Sequence, residues 1–137
     1  MRVVQASTGR GRLRIEGLAI PTENGVLIAV FGGEKPHVGA IALAIPRPSL
    51  RQPQKISATT STLTLTGHKD DEIAKPAAEL AAKKLKVPAV AVAGVHVDKP
   101  RKGEIRKLVE NSMKTVRILV SKLGDGRKLA ENASNVG

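Results

Sequence analysis

A run of ten residues made almost entirely of valine and alanine, 88–97, constrains the fold of this chain most strongly. A segment this apolar has no polar side to turn toward water, so it predicts a central strand that is buried on both faces. Two segments with apolar residues every three or four positions flank it, at 71–86 and 104–123. That spacing predicts two amphipathic helices.

Four further strands are predicted before the first helix. They are 11–22, which alternates, 26–31, which is continuously apolar, 37–45, and 55–66, which is rich in serine and threonine. Asn24-Gly25 favours a tight turn between the first two. The predicted order is β-β-β-β-α-β-α: an α+β fold with a mainly antiparallel sheet, its last two strands parallel, and both helices on one face.

The same pattern predicts the boundaries and the oligomeric state. We expect one α+β domain over 1–126 and a polar, disordered C-terminal tail over 127–137. Two helices can cover only one face of such a sheet, so the other face needs another partner. A homodimer that packs sheet on sheet would supply it.

The charge and composition limit the classes of function. The formal net charge is +11, from 23 Lys and Arg against 12 Asp and Glu. A charge of this sign favours phosphate or polyanion partners, or it belongs to a basic surface that is only solvated. The positive charge is spread along the chain and Phe31 is the only aromatic residue, which argues against nucleic-acid binding. The chain has no cysteine and no apolar run long enough to cross a membrane, so we expect a cytoplasmic protein that does not contact membranes.

The three histidines each lie near the end of a predicted strand. His37 opens the third strand, His68 follows the fourth, and His96 ends the fifth. If the third and fourth strands are antiparallel neighbours and the fourth and fifth are parallel neighbours, all three histidines share one edge of the sheet. Other candidate site residues fall near the same edge: Gly33, Gly39, Gly67, Gly94 and Asp98.

The segment Gly67-His68-Lys69-Asp70 joins a strand to the start of a helix, where unpaired backbone N–H groups favour an anion. It therefore predicts a phosphate site, although the segment could equally be a loop that ends in a capping aspartate. The histidine spacing matches no zinc motif, and no serine lies on a nucleophile elbow. We expect neither a metal site nor catalysis.

Three segments carry a family resemblance. They are Pro36-His37-Val38-Gly39-Ala40, the stretch from Ser61 to Asp71, and Val92-Ala93-Gly94-Val95-His96-Val97-Asp98. Over roughly 11–123 the chain resembles the prenylated-flavin chaperone-like domain, the small accessory D-type subunit of gallate-type decarboxylases, whose shape is similar to that of proteasome-assembly chaperones.

The resemblance implies a binding protein rather than an enzyme. Its ligand would be prenylated flavin mononucleotide or flavin mononucleotide (FMN), and its partner would be a decarboxylase whose maturation it supports. The pocket would be formed by 37–39, 67–70 and 94–98. A first alternative is a protein-assembly chaperone of the proteasome type without a small ligand, and a second is a basic nucleic-acid-binding protein.

Overall fold

The computed structural model describes residues 1–65 and 70–124. Within these ranges the chain forms six strands and two α-helices, with a short 3-10 turn at Gly11–Leu13. The elements are β1 (Val4–Thr8), β2 (Ile15–Pro21), β3 (Val26–Gly33), β4 (Ala40–Pro48), β5 (Ile56–Thr64), α1 (Asp71–Leu85), β6 (Ala89–His96) and α2 (Glu104–Leu123). The fold is α+β, as predicted. The predicted tail over 127–137 lies outside the described residues.

The strands form one mixed sheet in the order β1-β2-β3-β6-β4-β5. β6 runs parallel to β3 on one side and antiparallel to β4 on the other. The predicted mainly antiparallel sheet with its last two strands paired in parallel is therefore wrong. The reason is burial: β6, which has no polar face, occupies the centre, and the hydroxyl-rich β5 takes the edge, where its side chains reach water.

The predicted first strand also differs from the observed one. Its beginning is the 3-10 turn and its remainder is β2. The extra edge strand β1 pairs antiparallel with β2, across a reversal at Gly9 and Gly11, which both have positive φ. The sequence pattern does not predict β1, because the strand is short and mostly polar.

Both helices pack on one face of the sheet, as predicted, and this face is called the helix face. Alanines cover much of it on both layers: Ala40, Ala42, Ala44, Ala89, Ala91 and Ala93 on the strands, and Ala74, Ala77, Ala78, Ala81 and Ala82 on α1. Such small side chains let α1 lie close to β4, β5 and β6, while α2 packs over β1 and β2. None of the described helices is long and apolar enough to cross a membrane.

The opposite face of the sheet, called the outer face, has no helix over it within the described residues. Its β4 side chains, Ile41, Leu43 and Ile45, are 39%, 40% and 50% exposed, and Leu63 on β5 is 75% exposed. In the register of the sheet Ile41 lies between Leu63 and Val92, so these apolar side chains are neighbours. An exposed patch of this kind usually marks a surface of interaction.

Candidate functional site

The carboxyl ends of β3 and β6 and the beginning of β4 meet at one edge of the sheet, called here the histidine edge. His37 lies just before β4 and His96 is the last residue of β6. Their rings meet edge to face, with centroids 6.4 Å apart. The structure thus brings these two predicted site residues together. His68, with Gly67 and Lys69, lies outside the described residues.

Asp70 links this edge to the start of α1. Its side chain is only 6% exposed, and its carboxylate makes no capping hydrogen bond to the helix. Instead, Oδ1 accepts the Val95 backbone N–H at 2.9 Å, and Oδ2 lies 2.9 Å from Nε2 of His37. Asp70 therefore ties the end of β6 and the segment before β4 to the helix layer.

His37 is held at both ring nitrogens. Nδ1 lies 2.9 Å from the Lys35 carbonyl oxygen, while Nε2 faces the Asp70 carboxylate. A neutral imidazole carries one N–H, whereas the imidazolium carries two. In either form the two contacts hold the His37 ring in one orientation at the histidine edge.

His96 belongs to a second, more exposed group. Its Nε2 lies 2.8 Å from Oδ1 of Asp98, and Nζ of Lys35 lies 3.2 Å from Oδ2 of the same carboxylate. The hydrogen bond to His96, followed by that to Lys35, holds the pKa of Asp98 below its usual value. Asp98 remains a carboxylate while these partners are present, so it acts as an anchor for them.

A cluster of contacts around Arg12, called here the Arg12 clamp, lies next to the same edge of the sheet. Its guanidinium donates to Glu104 at 2.6 Å and to Glu34 at 3.3 Å, and it reaches the backbone carbonyls of Asp98 and Lys99. The hydrogen bond from Arg12 and the backbone N–H of Arg101 lower the pKa of Glu104. The clamp joins the turn before β2, the end of β3 and the start of α2.

The predicted site glycines make close contacts inside the protein. A β-carbon on Gly94 would overlap the His37 carbonyl, one on Gly39 would overlap the Asp70 carboxylate, and one on Gly33 would overlap the His96 carbonyl. Gly33 also has a positive φ of 76°, which favours glycine. These three positions therefore let the segments of the histidine edge pack directly on one another.

A family model for the prenylated flavin chaperone LpdD-like domain matches residues 9–124. The chain belongs to this family. The match agrees with the resemblance drawn from the sequence and contains every element from the 3-10 turn to α2. A search of curated proteins finds no significant relative of this LpdD-like domain.

A solved structure shares the fold of this LpdD-like domain. It is a chain from the crystal structure of a chaperone complex for yeast 20S proteasome assembly, with a TM-score of 0.53 and 16% sequence identity. The alignment covers 94% of this chain and 99% of that chain. At this identity the likeness concerns the fold, and it confirms the predicted similarity of shape to proteasome-assembly chaperones.

The LpdD-like domain also has features that its sequence does not predict. The contacts among Arg12, Glu34 and Glu104 are of this kind, since isolated charges far apart in the chain carry no signal of contact. A cavity of about 580 Å³ over β1, β2 and β3, lined in part by Phe31, is not predicted either. Among the described residues, no three His, Asp or Glu side chains are grouped so as to hold a metal ion.

Proposed function

We propose that this protein is a non-catalytic chaperone that holds a phosphorylated flavin, prenylated FMN or FMN, and supports maturation of a partner decarboxylase. The observation that carries the proposal is the family match over residues 9–124. The net charge of +11 is compatible with an anionic ligand. A chain without cysteine is suited to the reducing cytoplasm, where we place the protein.

We place the phosphate of the ligand at the histidine edge. The site would combine Gly33, His37, Gly39, Asp70, Gly94, His96 and Asp98 with the segment Gly67-His68-Lys69, which leads into α1. Two features support this placement: the rings of His37 and His96 are close together, and Asp70 precedes a helix of 15 residues whose first N–H groups favour anions. The positive charge of Lys69 would add to the attraction of this edge for a phosphate.

The first alternative is a chaperone that docks another protein and has no small ligand. The fold shared with a chain of a proteasome-assembly chaperone complex and the apolar outer face favour it. The two functions differ in one respect that can be measured. A flavin carrier is stabilised by its ligand, because a compound that binds only the folded state raises the melting temperature.

The test uses thermal unfolding and a maturation assay. We expect FMN or prenylated FMN to raise the melting temperature of the purified protein, and riboflavin, which lacks the phosphate, to raise it less. We also expect an apo-decarboxylase of the gallate type to gain activity faster with prenylated FMN when the protein is present. The protein alone should convert no decarboxylase substrate. No shift with either phosphorylated flavin, and no effect on maturation, would contradict the proposal.

A further inference from the structure

The cavity of about 580 Å³ opens on the outer face, above β1, β2 and β3. Leu18, Ala29 and Phe31 line it with apolar surface and are partly buried. Exposed polar side chains lie around them, those of Gln5, Ser7, Arg14 and Glu16 on the strands and Lys122 on α2. The cavity is an open groove, and it has the combination typical of ligand pockets, an apolar surface with a few polar groups that fix orientation.

Phe31 makes this cavity chemically distinct, since it is the only aromatic residue of the chain. Across the sheet it pairs with Glu16 on β2 and with Gly94 on β6. The His37 backbone carbonyl lies where a side chain of Gly94 would be. Phe31 is therefore paired with the residue on which the His37 segment packs, so the cavity lies one strand away from the histidine edge.

The rest of the outer face differs in chemistry. On β4 and β5 the exposed side chains Ile41, Leu43 and Leu63 are aliphatic, and none of them lines the cavity. The outer face thus has a half with exposed aliphatic side chains, called the aliphatic half, in which hydroxyl groups of β5 also reach water. The other half has one aromatic ring and hydrogen-bonding groups. Only the second half offers a π surface, and aromatic rings prefer to stack on one another with an offset.

We infer that this cavity binds the planar heteroaromatic ring of the ligand, with Phe31 as its stacking surface. The polar groups around the cavity, which include Lys122 and Arg14 as donors and Glu16 as an acceptor, can bind the edge of such a ring. The inference rests on the proposed function, since a flavin supplies the ring. It adds that ring and phosphate are bound by different parts of the protein, the cavity and the histidine edge.

Titrations that follow flavin fluorescence test the inference with three variants. Phe31→Leu keeps an apolar side chain but removes the π surface, whereas Phe31→Tyr keeps the π surface. We expect Phe31→Leu to raise the Kd about tenfold, the scale of one lost stacking contact, and by the same factor for FMN and riboflavin. Ala29 belongs to the apolar lining of the cavity, so the larger side chain of Ala29→Leu fills part of the cavity. It should weaken the binding of both ligands, although it removes no contact with them.

Leu27→Ala is the matched control, because Leu27 is on the same strand and face as Phe31 but does not line the cavity. Circular dichroism at the titration temperature checks that each variant is folded. If the wild type binds neither prenylated FMN nor FMN, the inference and the proposed function fail together. If the wild type binds them and both Phe31→Leu and Ala29→Leu bind as it does, the inference alone is overturned.

Discussion

At the scale of single residues, Asp70 illustrates which contacts the sequence predicts and which it does not. Its position between a strand and a helix predicted either a cap or part of an anion site. The structure directs its carboxylate to His37, 33 positions earlier, and to the Val95 N–H, 25 positions later. No local pattern encodes these contacts, because only the assembled sheet brings the three residues together.

Replacing Asp70 should destabilise the fold. In Asp70→Ala the partly buried Val95 N–H loses its acceptor and His37 loses its carboxylate, and leaving a buried group unsatisfied costs about 1–3 kcal/mol. We expect the free energy of unfolding in urea to fall by roughly that amount. Asp71→Ala, at the next and more exposed position, is the control and should cost about 0.5 kcal/mol. Equal losses in both variants would contradict the role given to Asp70.

At the scale of elements, hydrophobic pattern predicted the helices well and strand order poorly. The periodicity of 71–86 and 104–123 is local and matches α1 and α2 within one residue. Strand order depends on which strands bury best together. The apolar character of β6 fits a central position beside any strand, so the insertion of β6 between β3 and β4 could not be predicted from its residues alone.

The Arg12 clamp, which joins three elements, should make stability depend on pH. The pKa of Glu104 is lowered in the folded state from its ordinary value of 4.5, first of all by its hydrogen bond with Arg12. The contribution of this pair to stability is thus complete above that value and is lost as the pH falls through the lower, folded-state pKa of Glu104. We expect Arg12→Met to reduce the free energy of unfolding at pH 7, and the difference from wild type to shrink toward pH 3.

Urea unfolding between pH 7 and pH 3 measures this difference directly. Arg14→Met is the matched control, since Arg14 makes a single exposed ion pair with Glu16 at 3.3 Å, and exposed pairs contribute little. The control should differ little from wild type at any pH. A difference for Arg12→Met that stays constant over the whole range would show that the clamp does not act through ionised carboxylates.

At the scale of the whole molecule, His37 and His96 share one edge of the sheet as predicted, although the prediction relied on a strand pairing that is wrong. The predicted parallel neighbours, β5 and β6, are not adjacent, yet both run antiparallel to β4. They therefore point the same way, and the beginning of β4 lies beside the end of β6. The strand directions were sufficient to predict that the two histidines share an edge. The cavity beside Phe31 depends on side-chain packing, which strand directions do not specify.

The uncovered outer face predicts a homodimer. Light scattering at micromolar concentration should give twice the chain mass of 14.4 kDa. Leu43→Glu places a charge in the aliphatic half of the outer face and should yield monomers, because an unpaired charge is costly at an apolar interface. Ile118→Glu on α2 is the control, since Ile118 is 39% exposed against 40% for Leu43. A wild-type protein that is monomeric would contradict this interface.

The central claim, that the protein carries a phosphorylated flavin, is tested most directly by calorimetric titration of the wild-type protein. The titrants are prenylated FMN, FMN and riboflavin, at one pH and ionic strength. We expect saturable binding of at least one of the two phosphorylated flavins, with clearly weaker binding of riboflavin, because a phosphate contact contributes a charge-assisted hydrogen bond. The absence of saturable binding for both phosphorylated flavins would contradict it.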